Sequence, residues 1–351
     1  MSYIVKPKVH HPSLQKNAIG RTRRDYEGAI STLCAGCGHD SITAALVQAF
    51  WELDIEPYKV AKFSGIGCSS KTPAYFLKEA HGFNSVHGRM PAVATGAGAA
   101  NRDLIMVGVS GDGDSLSIGL GQLCHAVRRN VNLTYVLENN GVYGLTKGQF
   151  SASADPGSMS KKGDVNTMAA IDGVLMALTL GATFVARSFS GDKAQLVPIL
   201  KAAIRHRGFA FIDVISPCVT FNDHEGSTKS YAYTREHQLE VVQADLVLPQ
   251  AEIAIDYSHG EAMRVQMHDG SVVTLRKVDE NYDPTDRDRS YEVIRKHLLA
   301  GEVATGLLYI SPESVDMMEQ NEAVDGPLFN LPFESLCPGA AELEKLQTRF
   351  R

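Results

Sequence analysis

The sequence predicts an α/β fold in which a mainly parallel sheet is flanked by helices and followed by a C-terminal extension. From Cys34 onward, strand-like and helix-like segments alternate at the spacing of βαβ units. The strand-like segments are short apolar runs ending in glycine-rich turns, as strands buried on both faces do. Length sets the scale. The 351 residues, 44% hydrophobic and 21% charged, suffice for one large domain with an appendage, or for two domains.

The elements follow in chain order. Residues 1–30 read as an irregular arm. Ser41–Leu53 carries apolar residues at helical spacing, among them Ile42, Leu46, Phe50 and Leu53. Val60–Phe63 and Leu104–Val109 read as buried strands. Between them, the small residues of Gly96–Ala100 suggest a helix packed closely on its neighbours. Asp114–Arg128 reads as a helix and Leu133–Leu137 as a strand. Leu175–Leu180 and Lys193–Ile204 read as helices, Thr183–Ala186 and Ala210–Ile215 as strands. Composition shifts near residue 240. The expected division is therefore an arm (1–30), a cofactor domain (31–240) and an extension with a tail (241–351). In the last part, Ala251–Tyr257 and Met263–Leu275 read as short strands broken by Ser258-His259-Gly260 and Asp269-Gly270. Tyr291–Leu299 reads as a helix, and residues 312–351 as a tail with few apolar anchors, suited to wrapping a partner.

The formal net charge is −6 and both signs are interspersed, so nothing calls for nucleic acid. The first thirty residues are polar and lack the apolar centre of a secretory signal. The most apolar stretch, Met168–Ala186, contains Asp172, Gly173 and Gly181 and reads as a buried helix followed by a strand, not a membrane span. A cytoplasmic protein without membrane contact is expected, with thiols kept reduced and available to metals.

Two constellations carry chemistry. In the first, the strand-like Leu104–Val109 leads into Gly111-Asp112-Gly113; a helix and a strand later comes Asn139-Asn140-Gly141-Val142. This spacing is the motif that binds thiamine diphosphate through Mg²⁺. A diphosphate needs a hard cation with oxygen ligands. The Asp112 carboxylate, the Asn140 amide oxygen and the Val142 carbonyl can supply three. Glycines at 111 and 113 let backbone approach closely, and a helix starting near Asp114 would point free N–H groups at the anion. An ordinary βα turn is the plainer reading. A dinucleotide site would want Gly-x-Gly-x-x-Gly after the first strand, which is absent near Cys34.

The second constellation is four of the six cysteines. Cys34 and Cys37 form C-x-x-C, while Cys68 and Cys218 lie in turn-like sequence rich in Gly, Ser or Pro. Such a set could be a redox dithiol with two bystanders, a zinc site or an iron–sulfur cluster. The missing second C-x-x-C disfavours a zinc ribbon, and one close pair plus two distant cysteines suits a cubane. Cys124, inside a helix, and Cys337, in the tail, read as bystanders.

Together these residues resemble the β subunit of 2-oxoacid:ferredoxin oxidoreductases. The resemblance covers about Cys34–Phe221, with a weaker echo in Asp283–Pro312. Its blocks are Cys34-Ala-Gly-Cys-Gly-His39, Ser64-Gly-Ile-Gly-Cys-Ser-Ser-Lys71, His87-Gly-Arg-Met-Pro91 with Ala94-Thr-Gly96, Gly111-Asp-Gly-Asp114, and Asn139 through Gln149. It implies a thiamine-diphosphate-binding fold and a [4Fe–4S] cluster on Cys34, Cys37, Cys68 and Cys218. It further implies cofactor contacts from Ile66, Gly67, Cys68, Ser69, His87, Gly113, Asp114, Gly144 and Leu145. Lys71 would face a substrate carboxylate or coenzyme A. The implied reaction is CoA-dependent oxidative decarboxylation of a 2-oxoacid, reversible in principle, with electrons passing to ferredoxin. An α subunit would supply the glutamate beside the cofactor's aminopyrimidine, in an αβ heterodimer or its dimer. Lys147 suits the second carboxylate of 2-oxoglutarate, for which pyruvate has no counterpart. Two rivals remain open: a non-oxidative thiamine decarboxylase or carboligase, and an iron–sulfur electron-transfer or redox-sensing module with a vestigial cofactor site.

Overall fold

Runs of Val, Ile, Phe and Leu at the expected strand positions pair into one nine-stranded sheet in the computed structural model, which describes residues 13–158, 160, 163–220, 252–267, 272–337 and 339–350. Six strands are parallel, in the order β2 (His81–Asn84), β1 (Val60–Ser64), β3 (Ile105–Gly111), β4 (Leu133–Asn139), β8 (Phe209–Ile215) and β7 (Phe184–Phe189). The sheet continues through β11 (Glu302–Ile310), antiparallel to β7, then β10 (Val272–Lys277), parallel to β11, and β9 (Ala262–Gln266), antiparallel to β10. A separate hairpin joins β5 (Val142–Tyr143) to β6 (Gln149–Phe150).

Helices cover both faces because the central strands are apolar on both. On one side α1 (Gly38–Glu52) packs with α6 (Lys193–Arg205), burying Ile42, Leu46, Phe50, Leu196 and Leu200 against Val109, Val136 and Ile212. The short α2 (Thr72–Tyr75) lies at the margin of this layer. On the other side α3 (Met90–Ala100), α4 (Leu120–Arg128), α5 (Gly173–Thr179) and α7 (Arg287–Leu299) bury Leu123, Val174, Leu178 and Ile294 against Phe63, Tyr135 and Phe211. Each fully buried Phe or Leu contributes about 2 kcal/mol by the apolar area removed from water. No helix among the described residues is long and apolar enough to cross a membrane.

Strand order positions the site. From β1 the chain moves outward to β2 and then returns to β3 on the other side of β1. The loops after β1 and β3 thus diverge and leave a crevice at the carboxyl ends of the parallel strands.

Several expectations need correction. Residues 114–128 are not one helix: a π-helical turn, Gly113–Ile118, ends at Gly119, and α4 begins at Leu120. The cause is contact between two glycine backbones, since a Cβ on Gly119 would fall 2.8 Å from Gly88. The glycines of α3 are not closely packed, although Ala94 is buried and Ala97 packs on the core: Gly96 faces open space, and the nearest atom to a Cβ on Gly98 would be Met106 at 3.9 Å. Residues 252–257 form no strand. Their backbone is held by single contacts, such as Ile255 N–H donating to the Gly191 carbonyl at 3.3 Å. Four strands are additional: β2, β11 and the short hairpin strands β5 and β6. The first twelve residues of the expected arm, Ala251, the Asp269-Gly270 turn and the expected boundary at 240 lie outside the described residues. The rest of the arm is irregular and tied down, with Tyr26 fully buried and its hydroxyl accepting from Asn17 Nδ2 at 2.8 Å.

Candidate functional site

The diphosphate turn is built from β3, whose last residue is Gly111, and from the loop after β4. Asp112 is 1% exposed. Its carboxylate accepts from the Ser151 hydroxyl and, at 2.6 Å, from the Ser153 hydroxyl. Burial holds its carboxyl above the ordinary range, against the opposing pull of those hydroxyls. Hydroxyls and N–H groups only partly compensate a buried carboxylate, and a divalent cation beside it would offset that cost. Asn140 Oδ1 accepts from Val142 N–H at 3.1 Å, which fixes the turn and leaves the amide oxygen a second lone pair. Gly141, at φ +76°, supplies the left-handed residue this turn requires. Asp112, Asn140 and the Val142 carbonyl therefore fit a Mg²⁺–diphosphate group. Gly113 is required on other grounds. A Cβ there would strike the Tyr143 ring at 2.4 Å, and the Tyr143 hydroxyl donates to the Gly113 carbonyl at 2.9 Å.

Asp114 has a structural task at the same turn. One carboxylate oxygen accepts from Gly88 N–H at 2.7 Å and the other from Ser110 Oγ at 2.8 Å. Asp114 thereby holds the His87-Gly88 turn, with His87 itself exposed. Leu145 and Lys147 are exposed on the β5–β6 hairpin, and Lys147 adopts φ +79°. Gly144 closes this turn by accepting from Lys147 N–H at 3.1 Å.

Three loops carry the four expected thiols. Cys37 N–H donates to the Cys34 carbonyl at 3.0 Å across a turn opened by Gly36 at φ +84°. Gly38 N–H donates to the Pro217 carbonyl at 3.2 Å, which joins that loop to the one bearing Cys218. The Thr220 hydroxyl reaches Cys34 Sγ at 3.6 Å. Cys68 lies in the loop after β1. Burial pushes its thiol up to about 11; the neighbouring Cys218 and Cys34 sulfurs add to this, while the Lys71 ammonium opposes it. Burial, then Cys218, pushes the Cys37 thiol higher still. None of the six cysteines is in a disulfide. Among the described residues no three His, Cys, Asp or Glu side chains converge as one metal ion would require. A cubane asks for a different arrangement, one thiolate at each of four irons, so its sulfurs stand farther apart than around a single zinc.

Behind the nest is a polar network that sequence reasoning missed. Glu138, with no exposed surface, accepts from Thr72 Oγ1 at 3.0 and 3.1 Å and lies 3.6 Å from His39 Nδ1. His39 Nδ1 also shares a hydrogen bond of 2.6 Å with Ser216 Oγ. Burial raises the Glu138 carboxyl well above its ordinary range and holds the His39 imidazole down to about 4.

Short links connect turn and nest. Ser153 Oγ bridges Asp112 and Asn139 Oδ1 (2.9 Å), and the Asn139 carbonyl accepts from Ser216 N–H at 2.8 Å, two residues before Cys218. On the other side, a Cβ on Gly111 would lie 2.9 Å from Ser69 Oγ, next to Cys68; Ser69 Oγ donates to the Ile66 carbonyl at 3.3 Å across Gly67. A cavity of about 240 Å³ runs from Asn140 and Ser153 past Arg187 and Asp213 to Cys218. Arg187 is committed to Asp213 and Asp172, each at 2.8 Å, and so is poorly placed to grip a further carboxylate.

Comparison with known proteins shows the family. Residues 65–214 match the family described as thiamine pyrophosphate enzyme, C-terminal TPP binding domain. The chain is 44% identical over 210 residues to the 2-oxoacid:ferredoxin oxidoreductase subunit beta of Saccharolobus solfataricus, covering 59% of this chain and 68% of the relative. It is 41% identical over 220 residues to the 2-oxoglutarate oxidoreductase subunit KorB of Mycobacterium tuberculosis, covering 60% of this chain and 58% of that one. A solved 2-oxoglutarate:ferredoxin oxidoreductase from Magnetococcus marinus, with 2-oxoglutarate, coenzyme A and succinyl-CoA bound, is similar over 91% of this chain and 97% of its own, at 30% identity and a TM-score of 0.68.

Proposed function

Because the chain belongs to the family of 2-oxoacid:ferredoxin oxidoreductase β subunits, we propose that it is the thiamine-diphosphate and iron–sulfur subunit of an enzyme converting a 2-oxoacid and coenzyme A to an acyl-CoA and CO₂. It acts with an α subunit and passes two electrons, one at a time, to ferredoxin. The observation that carries this reading is the Asp112–Ser153–Asn139–Ser216 chain of hydrogen bonds, which ties the Asp112 turn to the loop bearing Cys218.

Bound thiamine diphosphate supplies the electron sink for cleavage next to a keto carbon. Asp112, Asn140 and the Val142 carbonyl hold Mg²⁺. Gly113 and the segment Ile66–Ser69 shape the cofactor wall, Gly144 and Leu145 border its far side, and Asp114 keeps the His87 turn in place. Cys34, Cys37, Cys68 and Cys218 hold a [4Fe–4S] cluster. Lys71, in the turn that bears Cys68, offers a cation to a substrate carboxylate or to coenzyme A.

The best substrate is 2-oxoglutarate. The M. marinus enzyme has it bound, and Lys147, at the exposed tip of the hairpin beyond the Mg²⁺ loop, suits its second carboxylate. Anaerobic purification with the α subunit tests the reading as a whole: iron and thiamine diphosphate should both be present, with visible absorption that bleaches on reduction. Thiamine without iron would favour a non-oxidative decarboxylase or carboligase. Lys147→Ala should lower kcat/KM for 2-oxoglutarate about tenfold and leave pyruvate unchanged; an unchanged preference removes Lys147 from the substrate site.

A further inference from the structure

Lys62 is a lysine inside a strand whose five residues are all buried. It is 5% exposed, and among the described residues no carboxylate pairs with it. Its three ammonium hydrogens instead have three acceptors, the carbonyls of Pro73 (2.6 Å), Phe76 (2.6 Å) and Leu77 (2.9 Å), with the Phe76 ring 5.1 Å from Nζ. Burial lowers its pKa to about 8. A methionine would fill the space at less desolvation cost, so the charge needs a reason.

The turn it grips supplies one. Pro73–Leu77 is the last part of α2 and its exit, where carbonyls lose their helical partners. It ends on Leu77 at φ +45°, a left-handed conformation unfavourable for leucine. Toward the N-terminus the turn leads back through Thr72 and Lys71 to Cys68. On its other flank it is stitched to the arm: Gly28 N–H donates to the Tyr75 carbonyl at 2.8 Å and Ala29 N–H to the Ala74 carbonyl at 2.9 Å. A side chain on Gly28 is impossible there, since its Cβ would lie 2.2 Å from the Ala74 carbonyl oxygen. The Tyr75 hydroxyl accepts from Thr32 N–H at 3.0 Å and shares a 2.7 Å hydrogen bond with the Thr32 hydroxyl. Thr32 lies two residues before Cys34. A continuous path of covalent and hydrogen bonds therefore runs from Cys68 through the gripped turn to Cys34.

We propose that Lys62 is a positioning residue for the thiol nest: by clamping the Pro73–Leu77 carbonyls it fixes the Cys68 loop, and through Tyr75 and Thr32 it sets that loop against the Cys34 loop. The proposal rests on the cluster reading above. It touches neither substrate nor cofactor and predicts an effect on how firmly, and with what symmetry, iron is held.

The test uses the αβ complex purified anaerobically as wild type, Lys62→Met and Tyr75→Phe. Iron release to a chelator and the EPR spectrum of the reduced protein are recorded, with thiamine diphosphate affinity and melting temperature as controls. Tyr75→Phe removes one oxygen and should speed iron release about fivefold, what a hydrogen bond of ordinary strength is worth. Lys62→Met, which orphans three carbonyls, should speed it upwards of tenfold. Both should change the EPR spectrum while leaving thiamine affinity near wild type. If Lys62→Met does not assemble, Tyr75→Phe decides alone. Variants with wild-type iron release and spectrum, even with a lowered melting temperature, overturn the positioning role and leave the cluster reading intact. A wild-type complex without iron overturns both.

Discussion

The diphosphate turn draws its polar side chains from one stretch, residues 110–153, whereas the thiol nest gathers sulfurs from positions 34, 37, 68 and 218. In the turn, each carboxylate already has polar partners supplied by the same half of the sheet: Ser151 and Ser153, 39 and 41 residues on, for Asp112, and Ser110 and Gly88, 4 and 26 residues back, for Asp114. In the nest, the Cys37 and Cys68 thiols are pushed toward their protonated forms by burial and by neighbouring sulfurs, and the three loops are carried by distant parts of the sheet. A local site is specified by its own segment. A non-local one inherits its geometry from the fold and should be the more sensitive to distant change.

The largest test of this contrast is Cys34→Ala. It should abolish electron transfer to ferredoxin and remove the cluster, while thiamine diphosphate affinity moves by less than about threefold, as expected for separable sites. Joint loss of iron and thiamine would mean that turn and nest form one unit. Next is Asp112→Asn, which should weaken Mg²⁺–thiamine diphosphate binding upwards of about 100-fold by calorimetry with iron content unchanged. Ser153→Ala attacks the bridge itself. It should weaken cofactor binding about tenfold, with a smaller rise in iron release; an effect on neither would detach Ser153 from the site.

The smallest expected effect is that of acid. Burial holds the imidazoles of His39 and His206 down to about 4, from an ordinary 6.5. The unfolded chain therefore takes up these protons before the folded one. Their contribution to stability is complete above about pH 6.5 and disappears as the pH falls through about 4. His39→Gln should flatten this loss by on the order of 1 kcal/mol, about 2–4 °C in Tm between pH 6.5 and 4. An identical slope in the variant would mean that the protons go elsewhere.

The same contrast explains what the sequence disclosed. Gly111-Asp112-Gly113 and Asn139-Asn140 are readable because spacing along one βαβ unit fixes their meeting. The strands β1, β3, β4, β7 and β8 are readable because burial on both faces demands uninterrupted apolar runs. β11 was harder, as Thr305 and Gly306, at φ +129°, interrupt its pattern, and β2 was hidden because all four of its residues are exposed at an edge. The serines of Ser151-Ala152-Ser153 carry no signal until the fold brings them onto Asp112. Lys62 did leave one, a lone charge within an apolar run, but its meaning depends on three carbonyls more than ten residues away. The adjacency of the thiols to one another came from the family resemblance, since separations of 31 and 150 residues define no geometry by themselves.

The backbone contact between Gly88 and Gly119 has a consequence for how this region can vary. A methyl group at either position would collide with main chain of the other at 2.7–2.8 Å, and main chain cannot rotate aside as a side chain does. A compensating change at the second position is therefore unavailable, because glycine is already the smallest residue there. Random libraries at these two sites should return the parental pair, and drift among descendants of this gene should be silent at both codons.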